Sequence, residues 1–95
     1  MITIKRTQKT LTVSGHAGYA EHGKDIVCEA VTSQVQTLTA SIEQLTHEKP
    51  AFSLSSGFYE LSLEELGDKS LFLVSAFMVG MRLLQDGYPA HVKVV

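Results

Sequence analysis

One cysteine, Cys28, stands in a chain of 95 residues. A single thiol excludes an intrachain disulfide, CxxC redox chemistry and a cysteine-rich zinc site. It also points to a reducing, cytoplasmic compartment, where a free thiol persists. Long hydrophobic runs are missing as well. The most apolar stretch, Leu71 to Leu84, is interrupted by Ser75, Gly80 and Arg82, and it is shorter than the ~20 residues that cross a bilayer. The opening residues, Met1-Ile2-Thr3-Ile4-Lys5-Arg6-Thr7, lack the apolar core of a signal peptide. Net charge is −2 and the basic residues are scattered, whereas a nucleic-acid surface needs a basic stripe for the phosphates. Neither a nucleic acid nor a membrane is therefore expected as a partner. There is no Gly-x-Ser-x-Gly, no P-loop and no dinucleotide fingerprint.

What remains has the composition of a folded globular protein. The length predicts a single domain over residues 1–95, with no room for a second core. Ile2, Ile4 and Arg6 alternate with polar neighbours and predict a first strand. Gln8-Lys9-Thr10 is a turn, and Leu11-Thr12-Val13-Ser14 predicts a second strand running into Gly15-His16-Ala17. Residues 18 to 24 form a loop with Gly18 and Gly23 near its ends, which suggests mobility or close approach of a substrate.

Asp25 is a candidate N-cap, since a carboxylate there accepts backbone N–H groups of the first turn. Behind it Val27, Val31, Val35, Leu38, Ile42 and Leu45 recur at helical spacing and mark one apolar face. Pro50 ends that helix. Phe52, Leu54 and Ser56, then Tyr59, Leu61 and Leu63, predict two antiparallel strands around a Ser56-Gly57 turn. A second helix follows, capped by Asp68 or Ser70 and stopped by Gly87-Tyr88-Pro89, and a last strand spans His91 to Val95. Nearly every residue from Leu71 to Met81 is apolar, so this helix needs cover on more than one side, and a homodimer is expected. The order β-β-α-β-β-α-β implies an α+β two-layer sandwich, two helices on a largely antiparallel sheet.

A thiol in the first turn of a helix meets unpaired N–H groups and the positive end of the helix dipole, which favour thiolate. An imidazole within reach completes a nucleophile–base pair. Cys28 is thus a candidate nucleophile and His16, at the end of a strand, its candidate base. His22, in the loop, competes for that role. Helix N-terminal amides are candidate donors to an oxyanion, and Asp25 either caps the helix or orients the imidazole. A metal held by His16, His22 and Cys28 lacks a fourth ligand and matches no common zinc spacing. The plain alternative is that Cys28 is a small packing residue.

The segment Gly15-His16-Ala17, followed by Gly23-Lys24-Asp25-Ile26-Val27-Cys28, closely resembles the signature of the ribosomal-processing cysteine protease family. Length, element order, the apolar second helix and Tyr88-Pro89 before the closing strand extend that resemblance over almost the whole chain. It implies a His16–Cys28 catalytic dyad, no cofactor, a typically dimeric sandwich and a flexible loop holding Gly18, Tyr19, His22 and Gly23. It also implies a substrate: the precursor of a large-subunit ribosomal protein, trimmed of a short N-terminal extension. Glu29 stands where the family usually has Ala, and Thr32 where it commonly has Ser, both beside the presumed site. Two other readings are a phage-carried relative trimming capsid or scaffold proteins, and a non-catalytic dimeric binding module.

Overall fold

The computed structural model describes all residues, Met1 to Val95. Strand β1 (Ile2–Arg6) turns into β2 (Thr10–Ser14), and α1 (Ile26–Ser41) follows after a loop. The last turn of that helix widens into a π turn over Ile42–Thr46. Strands β3 (Phe52–Ser55) and β4 (Phe58–Ser62), helix α2 (Asp68–Gly87) and β5 (Val92–Val94) complete the chain. The predicted order holds. The sheet runs β3-β4-β2-β1-β5, antiparallel throughout except that β5 joins β1 in parallel. No helix is long and apolar enough to cross a membrane.

Alternation decides which face of the sheet is covered. Ile2, Ile4, Leu11, Val13, Tyr59 and Leu61 point to one side and are buried beneath the two helices. The helices supply Val27, Val31, Val35, Leu38 and Ile42 from one and Val74, Phe77, Met78 and Met81 from the other. The Tyr59 hydroxyl, buried in this layer, meets Thr39 Oγ1 on α1 at 2.7 Å. Burial holds the Tyr59 phenol above its usual pKa of 10.0, with the Thr39 hydrogen bond opposing. The turn between β1 and β2 is tied by Thr7, whose Oγ1 accepts from the Lys9 and Thr10 N–H groups.

Several boundaries differ from the sequence expectation, each for a local reason. β2 stops at Ser14, because Gly15 takes φ +97 and a side chain there would run into the Met1 carbonyl. His16 consequently lies beyond the strand. Leu45 leaves the apolar stripe and is 68% exposed, since a π turn advances by a smaller angle per residue than an α turn and carries it off the buried face. His47, at φ +61, ends the turn. Neither Asp68 nor Ser70 caps α2; the N-cap is Gly67. Glu48 serves that end from outside the helix, accepting from the Gly67 N–H at 3.0 Å and the Ser70 hydroxyl at 2.5 Å. Those two contacts, Ser70 first, hold the Glu48 carboxyl below its ordinary value of 4.5.

Candidate active site

A cleft of about 780 Å³ opens between α1 and the β3–β4 hairpin. Cys28, Glu29, Thr32 and Gln36 line it from the helix, Leu54 to Tyr59 from the hairpin, and His16, Gly18, Ala20, His22 and Gly23 from the approach to the helix. The candidate nucleophile, both candidate bases and Thr32, one turn beyond Cys28, thus share one cavity. Cys28 is partly buried. Its Sγ receives the Ala17 N–H at 3.3 Å, so the residue after His16 puts a backbone donor on the sulfur.

The His16 imidazole lies against the β3–β4 turn. Gly57 takes φ +71 at the second turn position, as a type II turn requires. A Cβ there would come within 2.6 Å of His16 Nε2 and 3.1 Å of Cε1. The turn is bound to the same segment through the Gly15 N–H and the Gly57 carbonyl at 2.9 Å. A turn more than forty residues away along the chain therefore sets where the imidazole can sit.

Asp25 is the most committed polar residue here. Its Oδ1 accepts from the Val27 and Cys28 N–H groups at 3.0 and 2.9 Å, which makes it the N-cap of α1. Its Oδ2 accepts from Tyr19 at 3.0 Å and Ala20 at 3.4 Å. The carboxylate thus fastens the loop to the helix, and it is buried while doing so. The Cys28 N–H and, with it, the Ala20, Tyr19 and Val27 N–H groups hold its carboxyl below the ordinary 3.8, against the effect of desolvation. Of the two roles open to Asp25 in the sequence, the structure shows the helix cap. Both oxygens are occupied by backbone donors and not by an imidazole. The Val27 and Cys28 amides already serve Asp25, which leaves the Ala17 N–H as the donor seen at the sulfur.

The loop residues also divide. Gly18, His22 and Gly23 line the cleft, but Tyr19 does not. Its ring packs edge-on against Tyr88 at 5.5 Å and His91 at 5.3 Å. Tyr19 thus fastens the first half of the loop to Tyr88 and His91. His91 adds a further tie, with Nδ1 at 2.9 Å from the Ala17 carbonyl. Ala17, Gly57, Tyr88 and His91 all shape the site, and none was legible as such, since each acts through backbone or ring packing between distant segments.

The profile of the family described as cysteine protease Prp matches residues 1–93. The chain belongs to the Prp family of cysteine proteases. The ribosomal processing cysteine protease Prp of Mycoplasma genitalium is 30% identical over 99% of this chain and 94% of its own length. That of Bacillus subtilis is 25% identical over 97% and 92%. The fold agrees with solved structures. The essential ribosomal processing protease Prp of S. aureus, in complex with a covalently linked product peptide, superposes with a TM-score of 0.88 at 22% identity, covering 99% of this chain and 97% of that one. A Streptococcus mutans crystal structure, 27% identical, gives 0.79 over 98% and 89%. The two-helix, five-stranded architecture is thus that of Prp enzymes, and the cleft with Cys28 is the place to seek its chemistry.

Proposed function

We propose that this Prp-family chain is a cytoplasmic endopeptidase that removes a short N-terminal extension from a ribosomal protein precursor, with Cys28 as nucleophile and His16 as base. The observation that carries the assignment is the placement of both residues in one cleft, with the Ala17 N–H on the Cys28 sulfur. The names of the relatives as ribosomal processing proteases support the substrate class. The Cys28 thiolate attacks the scissile carbonyl, forming a C–S bond. The tetrahedral intermediate collapses to a thioester as the C–N bond breaks, and His16 gives its proton to the leaving amine. Water, deprotonated by His16, then hydrolyses the thioester and returns the thiol. The Ala17 N–H points at the attacking sulfur, and the α1 residues Glu29, Thr32 and Gln36 form the wall that the peptide passes.

His16 is preferred to His22 because two backbone ties converge on its segment, from Gly57 and from the Met1 amino group, which donates to the His16 carbonyl at 2.6 Å. His22, exposed like His16, sits on the loop without such ties. Intact-mass spectrometry of an extended ribosomal protein precursor tests the reading. Wild type should trim it once near its N-terminus, and Cys28→Ala and His16→Ala should leave it whole. Cleavage by Cys28→Ala would overturn the assignment.

The protein further acts as a homodimer through α2. Phe72, Val79 and Leu83 recur along one side of that helix and are 75%, 56% and 67% exposed, a row that a second copy would cover. Leu45 and Phe72 border an adjoining apolar hollow of about 350 Å³.

A further inference from the structure

We infer that the substrate binds as an added β-strand on the free edge of β3, which leads its backbone into the cleft. This rests on the endopeptidase reading above. The two edges of the sheet are finished differently. On the β5 side, the outward amide of Val94 is taken by Gln85 Oε1 at 2.6 Å, and Lys93 stands mid-strand. Charge and a capped amide both discourage further pairing. β3, Phe-Ser-Leu-Ser, carries no charge, no proline and no bulge, and all four residues are exposed.

The register fixes which groups that edge presents. Ser62 N–H donates to the Ala51 carbonyl at 2.9 Å, and Ser53 pairs with Glu60 and Ser55 with Phe58. In an antiparallel pair the bonded positions alternate. Residues 51, 53 and 55 therefore bond inward to β4, which turns the N–H and C=O groups of Phe52 and Leu54 outward. Their side chains lie on the same face as Tyr59 and Leu61, their partners across β4. That is the face over which the helices lie, yet Phe52 and Leu54 remain 47% and 58% exposed. A strand added here gains backbone hydrogen bonds to Phe52 and Leu54 and turns every second side chain towards them.

The occupant is an extended peptide because the edge is continuous with the site. Leu54 and Ser55 line the same cleft as Cys28. β3 ends at the turn whose Gly57 lies under the His16 imidazole. A chain paired along β3 therefore runs beside a wall of the cleft that holds the nucleophile and base.

The experiment uses the precursor peptide that wild type cleaves, added to Cys28→Ala protein, with amide hydrogen exchange read residue by residue. The Phe52 and Leu54 amides should exchange freely in the peptide-free protein and slow at least ~10-fold in the complex, while Ser53 and Ser55 are protected throughout. Leu54→Pro removes the outward N–H and leaves the inward ladder whole. It should raise KM about 10-fold, the scale of one backbone hydrogen bond, with kcat little changed, and Leu54→Val, which keeps the N–H, should raise KM less than Leu54→Pro. Unaltered exchange at Phe52 and Leu54 on saturation, or an unchanged KM for Leu54→Pro, would overturn the inference alone. Protection at these amides without peptide, lost together with half the sedimenting mass in Leu54→Pro, would assign the edge to a second copy and also overturn it. Failure of wild type to cleave any precursor peptide would remove the endopeptidase reading itself, and the inference with it.

Discussion

At the scale of single residues, Gly57 abuts the His16 ring and Asp25 holds the Cys28 amide. A methyl group on Gly57 meets the His16 ring and also strains a backbone at φ +71. The two effects separate by substitution, because asparagine tolerates positive φ but still brings a Cβ. Gly57→Asn should therefore fold and still lose activity on the order of 100-fold, as expected for a displaced catalytic group; kcat measured beside thermal melting checks this. Asp25→Asn keeps one oxygen for the helix cap but turns an NH2 towards the Tyr19 and Ala20 N–H groups. Helicity by circular dichroism should survive, while the loop is released and cleavage slows. Acid acts on the same carboxylate. Its folded pKa lies below the unfolded one, so its stabilising contribution is complete above the unfolded value of about 3.8 and is lost as pH falls through the lowered folded value. Glu48 behaves likewise from its ordinary 4.5 downward. Melting temperature should fall steeply over that range in wild type and less steeply in Glu48→Gln. That Cys28 and His16 share a cleft was legible from the sequence because cysteine, cap and histidine lie within a short span. The roles of Gly57 and His91 were not, because only the sheet brings them there.

At the scale of elements, periodicity served well wherever one regular geometry persisted. The alternation of Ile2 and Ile4, Leu11 and Val13, Tyr59 and Leu61 reads directly as buried sheet face. The α1 stripe reads correctly as far as Ile42 and fails at Leu45, where the turn geometry changes. Stability should register the difference. Ile42→Ala, at a fully buried position, should cost about 2–5 kcal/mol, whereas Leu45→Ala should stay within about 0.5 kcal/mol when the two are compared by urea unfolding. The α2 cap escaped the sequence for another reason. Glu48 lies nineteen residues before the Gly67 amide that it accepts, and local capping rules look only to the first turn.

At the scale of the whole molecule, the two helices cover one face of the sheet and leave the other to solvent. The bare face carries Lys5, Thr12 and Glu60, polar side chains that need no cover. A row of uncovered apolar side chains lies elsewhere, on the outer side of α2. Phe72→Lys with Leu83→Lys should lower the sedimenting mass from that of a dimer to the 10.4 kDa of one chain without unfolding it. A single-chain mass for wild type at micromolar concentration would overturn the dimer.

The tie between His91 and the Ala17 carbonyl spans seventy-four positions, and it gives the site an order of assembly in time. Ala17 carries the donor on the Cys28 sulfur, β5 pairs with β1, and Tyr88 and His91 seat Tyr19. The contacts of β5, Tyr88 and His91 all come from later in the chain than the residues they hold. A nascent chain halted at Gly87 has its cysteine, histidine and cap, yet nothing behind the loop that joins them. Proteolytic competence should therefore appear only after β5 has left the ribosome, so that the enzyme is inert while it is still a neighbour of other unfinished proteins. Stalled chains ending at residues 87 and 95 plus a common spacer would show it, the longer one alone cleaving precursor peptide.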